Sequence, residues 1–313
     1  MKWKLCIRYG VAAAAFWVGI LAGKVAAQEL EMTYLGTAGW KMNSGSLTIL
    51  VDPYISRLKL KGGPLSPEDT RKVYERTDVF VSDTTLIDSL IDKADFILVH
   101  HSHFDHLSDV PYIARKTGAK VIGTETTCNI LRAYGIPNDQ LYTVKGGEDY
   151  TFGTFSVRVI PSIHSALNGK HYFNSDTYTD VPDYPLQIAD FVEGGSLMFL
   201  IRFPQQEVLT MGSMNYVERE LEGVHPDVLL AGVNLSRLEI YKYTERLLKT
   251  TGYPSIVVPV HWDNYRVPYH FSQEEAIRTK VLPFLEEVRA VAPQTRVIVP
   301  RHLELFNIPT FDE

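Results

Sequence analysis

The sequence predicts an α+β protein built as a four-layer αββα sandwich, two β-sheets face to face with helices on the outside. The order of elements is the first reason. The chain opens with strands and then runs twice through strands followed by strand and helix units, which suits two packed sheets whose outer faces need helical cover. Continuity is the second: no linker rich in Gly, Ser or Pro and no repeat of fixed period divides the 313 residues, so a single domain over 28–313 is expected. At 45% hydrophobic and 22% charged residues, the composition is that of a globular chain and not of a disordered or fibrous one.

Taken in order, "EMTYLGTAGWKM" and "SLTILVDPYIS" alternate or run apolar about a turn at Asn43 to Gly45, which predicts a two-stranded hairpin. Residues 57–83, with the cluster "KGGPLSPED", read as a surface loop carrying a short helical piece. Leu86, Ile87, Leu90 and Ile91 then recur at helical spacing over 84–95, with Asp83 as cap, and the strand "DFILVH" follows. "DVPYIARKTGAKVIGT" and "TTCNILRAYGIPNDQLYTV" each read as a helix ended near a glycine and followed by a strand, and "YTFGTFSVRVIPSIH" as strands. The second half gives strands at "GGSLMFLIRF", "EVLTM" and "DVLLAGV", a helix within "SRLEIYKYTERLLKTTG", and the strand "SIVVPVH". A last helix begins at "SQEEAIRTK", where Ser272 and Glu275 suit a capping box and Pro283 a kink, and the strand "TRVIVP" closes the core.

Residues 1–27 have the make-up of a signal peptide: Lys2, Lys4 and Arg8, a small-apolar run, then Val25 and Ala27 as a cleavage signal. The run from Val11 to Gly23 has 13 residues, short of the roughly 20 that span a bilayer. Cleavage, export to the periplasm or medium, and no stable membrane span afterwards are therefore expected. Removing Lys2, Lys4, Arg8 and Lys24 would take the net charge from −6 to −10, and so acidic a chain is a poor partner for nucleic acid. Of two cysteines, Cys6 lies in the leader and Cys128 remains. No intrachain disulfide is then available, and Cys128, on a short amphipathic pattern, reads as a small buried apolar residue.

The chemistry concentrates in "VHHSHFDHL", Val99 to Leu107, directly behind an apolar strand. Histidines at i and i+2 beyond a strand end can point the same way, and an Asp-His pair two residues on can return to the same pocket through a tight turn. Such a loop offers imidazole and carboxylate to one or two Zn²⁺ ions.

His101-Ser102-His103-Phe104-Asp105-His106 resembles the HxHxDH signature of the metallo-β-lactamase fold superfamily, and the resemblance covers nearly the whole mature chain. It implies a third histidine some tens of residues on, matched by His164 in "VIPSIHS", and a late one after an apolar strand, matched by His261 in "SIVVPVHWDNY". The implied sites are His101, His103 and His164 for one ion and Asp105, His106 and His261 for a second. Zinc is the expected metal, one ion or two, although imidazole and carboxylate also accept Mn²⁺ or Fe. The implied activity is that of a metal-dependent hydrolase, in which hydroxide generated at the metal attacks an ester, lactone or phosphodiester of a small-molecule or lipid-like substrate. Asp105 has a catalytic role in this reading, accepting a hydrogen bond from the attacking water and carrying its proton toward the leaving group. "HWDNY" is most similar to the sugar-lactonase-like and lipid-phosphodiesterase-like branches.

One feature departs from the family pattern. A bridging aspartate is expected as "GD" after a strand of the second half, whereas here Gly212 is followed by Ser213, a neutral and poor zinc ligand. Either one metal binds, or two bind with water as the bridge, or another acid substitutes. Asp263 is the nearest such acid, with a turn aspartate as its alternative reading; Asp180 and Asp190 lie in loop-like stretches. Ser213 also motivates a different class of function, a metal- or ligand-binding protein without turnover. Residues 165–190, with His171, Tyr172 and Phe173, form a long segment of little periodicity, to be read as a substrate loop or lid, or as a loop packed down by its own aromatics. His100 reads as part of the strand end, His225 as the residue before Pro226 at a strand entrance, and His171, His270 and His302 as surface or hydrogen-bonded residues rather than ligands.

Overall fold

The computed structural model describes residues 29–62, 67–167, 169 and 171–311. The proposed leader therefore lies outside the described residues. Among those described, no helix is long and apolar enough to cross a membrane.

Two seven-stranded mixed sheets are present. In the first, β1 (Leu30–Gly36), β2 (Gly39–Ser44) and β3 (Leu47–Val51) form an antiparallel meander. The order then continues in parallel through β4 (Phe96–Leu98), β5 (Lys120–Gly123) and β6 (Leu141–Thr143). Parallel neighbours need crossovers, and these carry α1 (Thr84–Leu90), α2 (Phe104–Leu107), α3 (Val110–Thr117) and α4 (Glu125–Ala133).

In the second sheet, β7 (Asp149–Phe152), β8 (Phe155–Ser162), β9 (Ser196–Arg202) and β10 (Glu207–Met211) are antiparallel. From β10 the order runs parallel through β11 (Val228–Gly232), β12 (Ile256–Val260) and the two-residue β13 (Arg296–Val297). Outside it lie α5 (Tyr243–Thr250) and a helical run of α6 (Glu274–Ala276), a π turn over Ile277–Val281, and α7 (Leu282–Val291). A last strand, β14 (Leu305–Ile308), returns to pair antiparallel with β1.

The period-two alternation of strands accounts for the layers. Ile49, Val51, Leu98 and Ile122 of the first sheet share a core with Val157, Phe199 and Leu209 of the second. Their neighbours Leu50, Ile97 and Val121 face the other way, onto Ile87 of α1, Ile113 of α3 and Ile130 of α4. The four layers expected from the sequence are thus present. Strands buried on both faces read as continuous apolar runs, and each such side chain contributes about 1.5–3 kcal/mol on burial.

Several local expectations are corrected. The first hairpin strand is two strands, because the chain turns back at Gly36 and Thr37, which adopt φ of +86° and +54°. No helical piece forms in the described part of 57–83, where an isolated bridge joins Leu60 to Tyr74. The helix capped by Asp83 stops at Leu90, and Ile91 is already extended. The segment 236–252 holds a 3₁₀ turn ending at Glu239 and then α5, divided by Lys242 in the left-handed region. No capping box forms near residue 272: Ser272 Oγ accepts from Glu274 N while Glu275 pairs with Arg278. At Pro283 the helix is accommodated by the preceding π turn rather than broken. "TRVIVP" contributes only the two residues of β13 at an edge, and β14 takes the corresponding place on the first sheet.

Candidate metal centre

The six candidate ligands lie past the ends of β4, β8 and β12, four of them in the loop and short helix that follow β4. After β4 the chain passes His100 and His101 in a loop, reaches His103 with extended backbone (φ −59°, ψ 153°), and enters α2, whose first turn carries Asp105 and His106. His164 lies two residues past β8, and His261 immediately follows β12. His261 is held with φ +57°, a conformation side chains rarely adopt, and its N–H donates to Thr37 O at 2.6 Å. That bond fixes the late histidine to the turn between β1 and β2.

The side chains converge as two triads, His101, His103 and His164, and Asp105, His106 and His261, each with ligand atoms within 4.8 Å of one another and all buried. His101 Nε2 lies 3.0 Å from His103 Nδ1. Asp105 Oδ2 lies 3.5 Å from His261 Nε2 and 3.8 Å from His106 Nε2. The triads adjoin, with the His101 and His106 ring centroids 3.9 Å apart. Together they line a pocket of about 210 Å³.

The donor chemistry fits a cation. Burial depresses the basicity of His101, takes His103 down to about 3 with His164 adding repulsion, and takes His261 down to about 4 against the pull of Asp105. His164 is lowered by burial as well. These imidazoles are therefore neutral, with lone pairs free, at ordinary pH. The Nδ1 atoms of His101 and His261 are buried without a hydrogen-bond partner among the described residues. His106 behaves oppositely: burial opposes its charge, but Asp52 and Asp105 outweigh it and raise its pKa. Asp105 stays ionised, because His106, His261 and His103 together outweigh its burial.

Asp52 is the member that sequence reading misses. It follows β3, is fully buried, and places Oδ2 2.6 Å from both His106 Nδ1 and His100 Nδ1. Burial opposes its ionisation, yet the two histidines hold it well below the usual carboxylate range. An acid on Nδ1 orients the ring and leaves Nε2 of His106 toward the pocket, the arrangement that tunes metal-binding histidines. His100, expected as a strand-end residue, is more than that: its Nε2 lies 2.8 Å from Thr210 Oγ1 of β10, so it bridges the sheets. A Cβ on Gly212 would sit 2.3 Å from His100 Cβ, which accounts for a glycine there. The signal for Asp52 was an acid directly behind an apolar strand, the same pattern that marks His101.

Ser213 points into a serine network. Its Oγ accepts from Ser165 N at 2.9 Å and donates to Ser165 Oγ at 3.2 Å, and Ser236 Oγ lies 3.0 Å further along. Hydroxyls thus occupy the place where a bridging carboxylate was expected. Asp263 does not substitute for it, nor is it a turn aspartate. Its Oδ1 accepts from Thr37 N at 2.9 Å and Tyr34 Oη at 3.2 Å, and its Oδ2 faces Arg57 Nη1 and His302 Nε2 at 2.9 Å each. Arg57 in turn donates to Val267 O and Asn264 O at 2.7 Å, so this buried ion pair braces the loop behind His261. A Cβ on Gly36 would lie 2.2 Å from Arg57 Nη1, so only a glycine leaves room for the guanidinium.

Of the proposed substrate loop, Phe173 reaches the pocket: its ring centroid lies 5.4 Å from that of His103, and its carbonyl 3.1 Å from His103 Nε2. His171 and Tyr172 are exposed and do not line it. The segment is tied down by Asn174 Nδ2 donating to Ala189 O and Phe191 O, and by Tyr178 Oη donating to Asp190 O. His302 is hydrogen-bonded, and Cys128 is buried and free.

A family model described as beta-lactamase superfamily domain matches residues 31–261. A UPF0173 metal-dependent hydrolase of Heliobacterium modesticaldum is 24% identical over 286 residues, 87% of this chain and 99% of that protein. One from Staphylococcus aureus (strain Newman) is 36% identical over 200 residues, 60% of this chain and 77% of that protein. Against three further relatives, 28–30% identical over 141 residues, the chain spans only 50–53% of their length. Among solved structures, the fold is similar to that of Igni18, a metallo hydrolase from the hyperthermophilic archaeon Ignicoccus hospitalis, at a TM-score of 0.58 and 20% identity over 90% of this chain and 100% of that one. The sandwich of two sheets, its histidines at the strand ends and the family match across 31–261 lead to one assignment: the chain belongs to the beta-lactamase superfamily and has the metallo-β-lactamase fold.

Proposed function

We propose that this protein is a metal-dependent hydrolase acting on an ester, lactone or phosphodiester of a small molecule. The observation that carries this reading is the pair of adjoining buried triads facing one pocket, with one ionised carboxylate, Asp105, among five imidazoles. A divalent cation bound there, zinc first among the candidates, supplies a Lewis acid and an acidified water near neutral pH. The chain's own contribution is separable. Asp105 accepts the proton of the attacking water and passes it to the leaving group, while Asp52 holds His106 in one orientation. Phe173 and Tyr265 wall the pocket and exclude bulk water.

The test is elemental analysis of the purified protein together with turnover of 4-nitrophenyl esters, aryl lactones and bis(4-nitrophenyl) phosphate after zinc or manganese loading. Metal bound and at least one class hydrolysed supports the reading; protein without metal and inert on all three overturns it. A second reading, metal binding without turnover, is favoured by the serine network at residue 213 and predicts tight metal uptake with no hydrolysis. Residues 1–27 are read as a cleaved export signal, to be checked by the N-terminal mass of the protein recovered outside the cytoplasm.

A further inference from the structure

The pocket walls carry a pair of charges that the hydrolytic reading does not use. Arg76 and Arg266 both line the pocket, both are half-buried, and neither has a carboxylate partner among the described residues. Other arginines near the pocket are paired, Arg57 with Asp263 and Arg71 with Asp69. The two lie close enough to repel: after burial, the charge of Arg266 is what most disfavours the charge on Arg76.

Each guanidinium is one aromatic ring removed from a candidate ligand, Arg76 beside a member of the first triad and Arg266 beside a member of the second. Arg76 Cζ lies 4.4 Å from the centroid of the Phe173 ring, which abuts His103 at 5.4 Å. Arg266 Cζ lies 5.8 Å from the centroid of the Tyr265 ring, which abuts His261 at 5.8 Å. Both backbones are fixed. Arg76 O accepts from Ala189 N at 2.8 Å, and Arg266 O accepts from Arg71 Nη2 at 2.9 Å. Two unpaired guanidiniums facing one cavity from anchored backbones form a preorganised receptor for an oxyanion, since each presents a planar fork that matches carboxylate or phosphate oxygens.

We propose that Arg76 and Arg266 bind an anionic group of the substrate, a carboxylate or a phosphate monoester, and hold it across the pocket while the scissile bond lies over the triads. This proposal rests on the hydrolase reading for its second half only, since the anion site exists without metal. Anion binding would relieve the repulsion between the guanidiniums and give each a charged partner it now lacks.

The experiment has a binding arm and a kinetic arm. In the first, chelator-treated protein is titrated calorimetrically with inorganic phosphate and, separately, with succinate. The wild type is compared with Arg76→Gln, Arg266→Gln, Arg76→Lys and the exposed control Arg301→Gln. Saturable binding of either anion, weakened about tenfold or more by each Gln change, less by Arg76→Lys and not by Arg301→Gln, is the expected result. The better-bound anion identifies which of the two chemistries the site takes. No saturable binding, or binding unaltered in both Gln variants while circular dichroism shows them folded, overturns the proposal. In the second arm, metal-loaded enzyme hydrolyses 4-nitrophenyl acetate and mono(4-nitrophenyl) succinate. A kcat/KM preference for the anionic ester that falls about tenfold in Arg76→Gln is expected, and equal preference in the two enzymes counts against the site. Turnover of neither ester, with anion binding intact, discards these esters and leaves the receptor standing.

Discussion

Replacing Asp263 by alanine separates two accounts of this acid, ligand and brace. The structure gives it four partners, and its side chain and that of Arg57 are 0% and 1% exposed. Deleting the carboxylate strands a buried guanidinium, which costs about 3–5 kcal/mol, and leaves Thr37 N–H without its acceptor at a further 1–3 kcal/mol, roughly. Since the two losses share one cavity they will not add fully, and a net loss of about 4 kcal/mol is expected. In a domain of this size that lowers Tm by about 10 °C. Urea and thermal unfolding of chelator-treated protein measure it with no metal involved. The paired change Arg57→Met with Asp263→Leu removes both charges and should recover more than half of the loss, because apolar replacement of a buried ion pair is often near neutral. An unfolding midpoint unchanged by Asp263→Ala, accompanied by loss of one ion per chain, would refute the brace and restore Asp263 as a ligand.

Asp52→Asn keeps the shape but removes the charge that holds His106 and His100; metal affinity should fall about 10–100-fold in chelator competition. Ser213→Ala removes the acceptor of the buried Ser165 N–H and should cost roughly 1–3 kcal/mol in urea unfolding without changing metals per chain. In metal-free protein, His103 and His261 have pKa values near 3 and 4 in the fold against about 6.5 unfolded, so the unfolded chain binds more protons in that interval. Stability should therefore be retained above about pH 6.5 and fall as pH drops toward 4, by at most about 3–5 kcal/mol per histidine. His106, whose pKa is raised, works in the opposite sense and makes the plateau sag slightly as pH climbs through its folded pKa. A Tm series on chelator-treated protein, flat from pH 7 down to about 4, would contradict these signs.

The six ligand candidates were legible because four are packed into one short motif behind an apolar strand and the other two, His164 and His261, each follow a strand, and strands announce themselves locally by composition. The two sheets were legible for the same reason. What escaped depends on residues far apart. Arg57 and Asp263 are separated by 206 residues and carry no local signature of each other. Arg76 and Arg266 become a pair only through the rings of Phe173 and Tyr265 that seat them. β14 is short and half-exposed, so its alternation is faint, and it forms because β1 offers it an edge. Ser213 was readable as an anomaly, but the hydroxyl network that explains it joins three separate loops.

The brace between Arg57 and Asp263 also sets an order of events. His101, His103 and His164 come from the first part of the chain, whereas the second triad needs His261, whose φ of +57° goes with a hydrogen bond to Thr37 and, two residues on, the ion pair of Asp263 with Arg57, both partners from the N-terminal part of the sequence. Closing so long a loop is slow and is paid late in folding. During synthesis the all-histidine triad can be complete while the other still lacks its last member. In the finished protein, any fraying that starts at the C-terminal segment, where His302 and β14 dock on β1, loosens Asp263 first. The two triads therefore differ in history as well as in make-up: Asp105, His106 and His261 are the last to come together and the first to part.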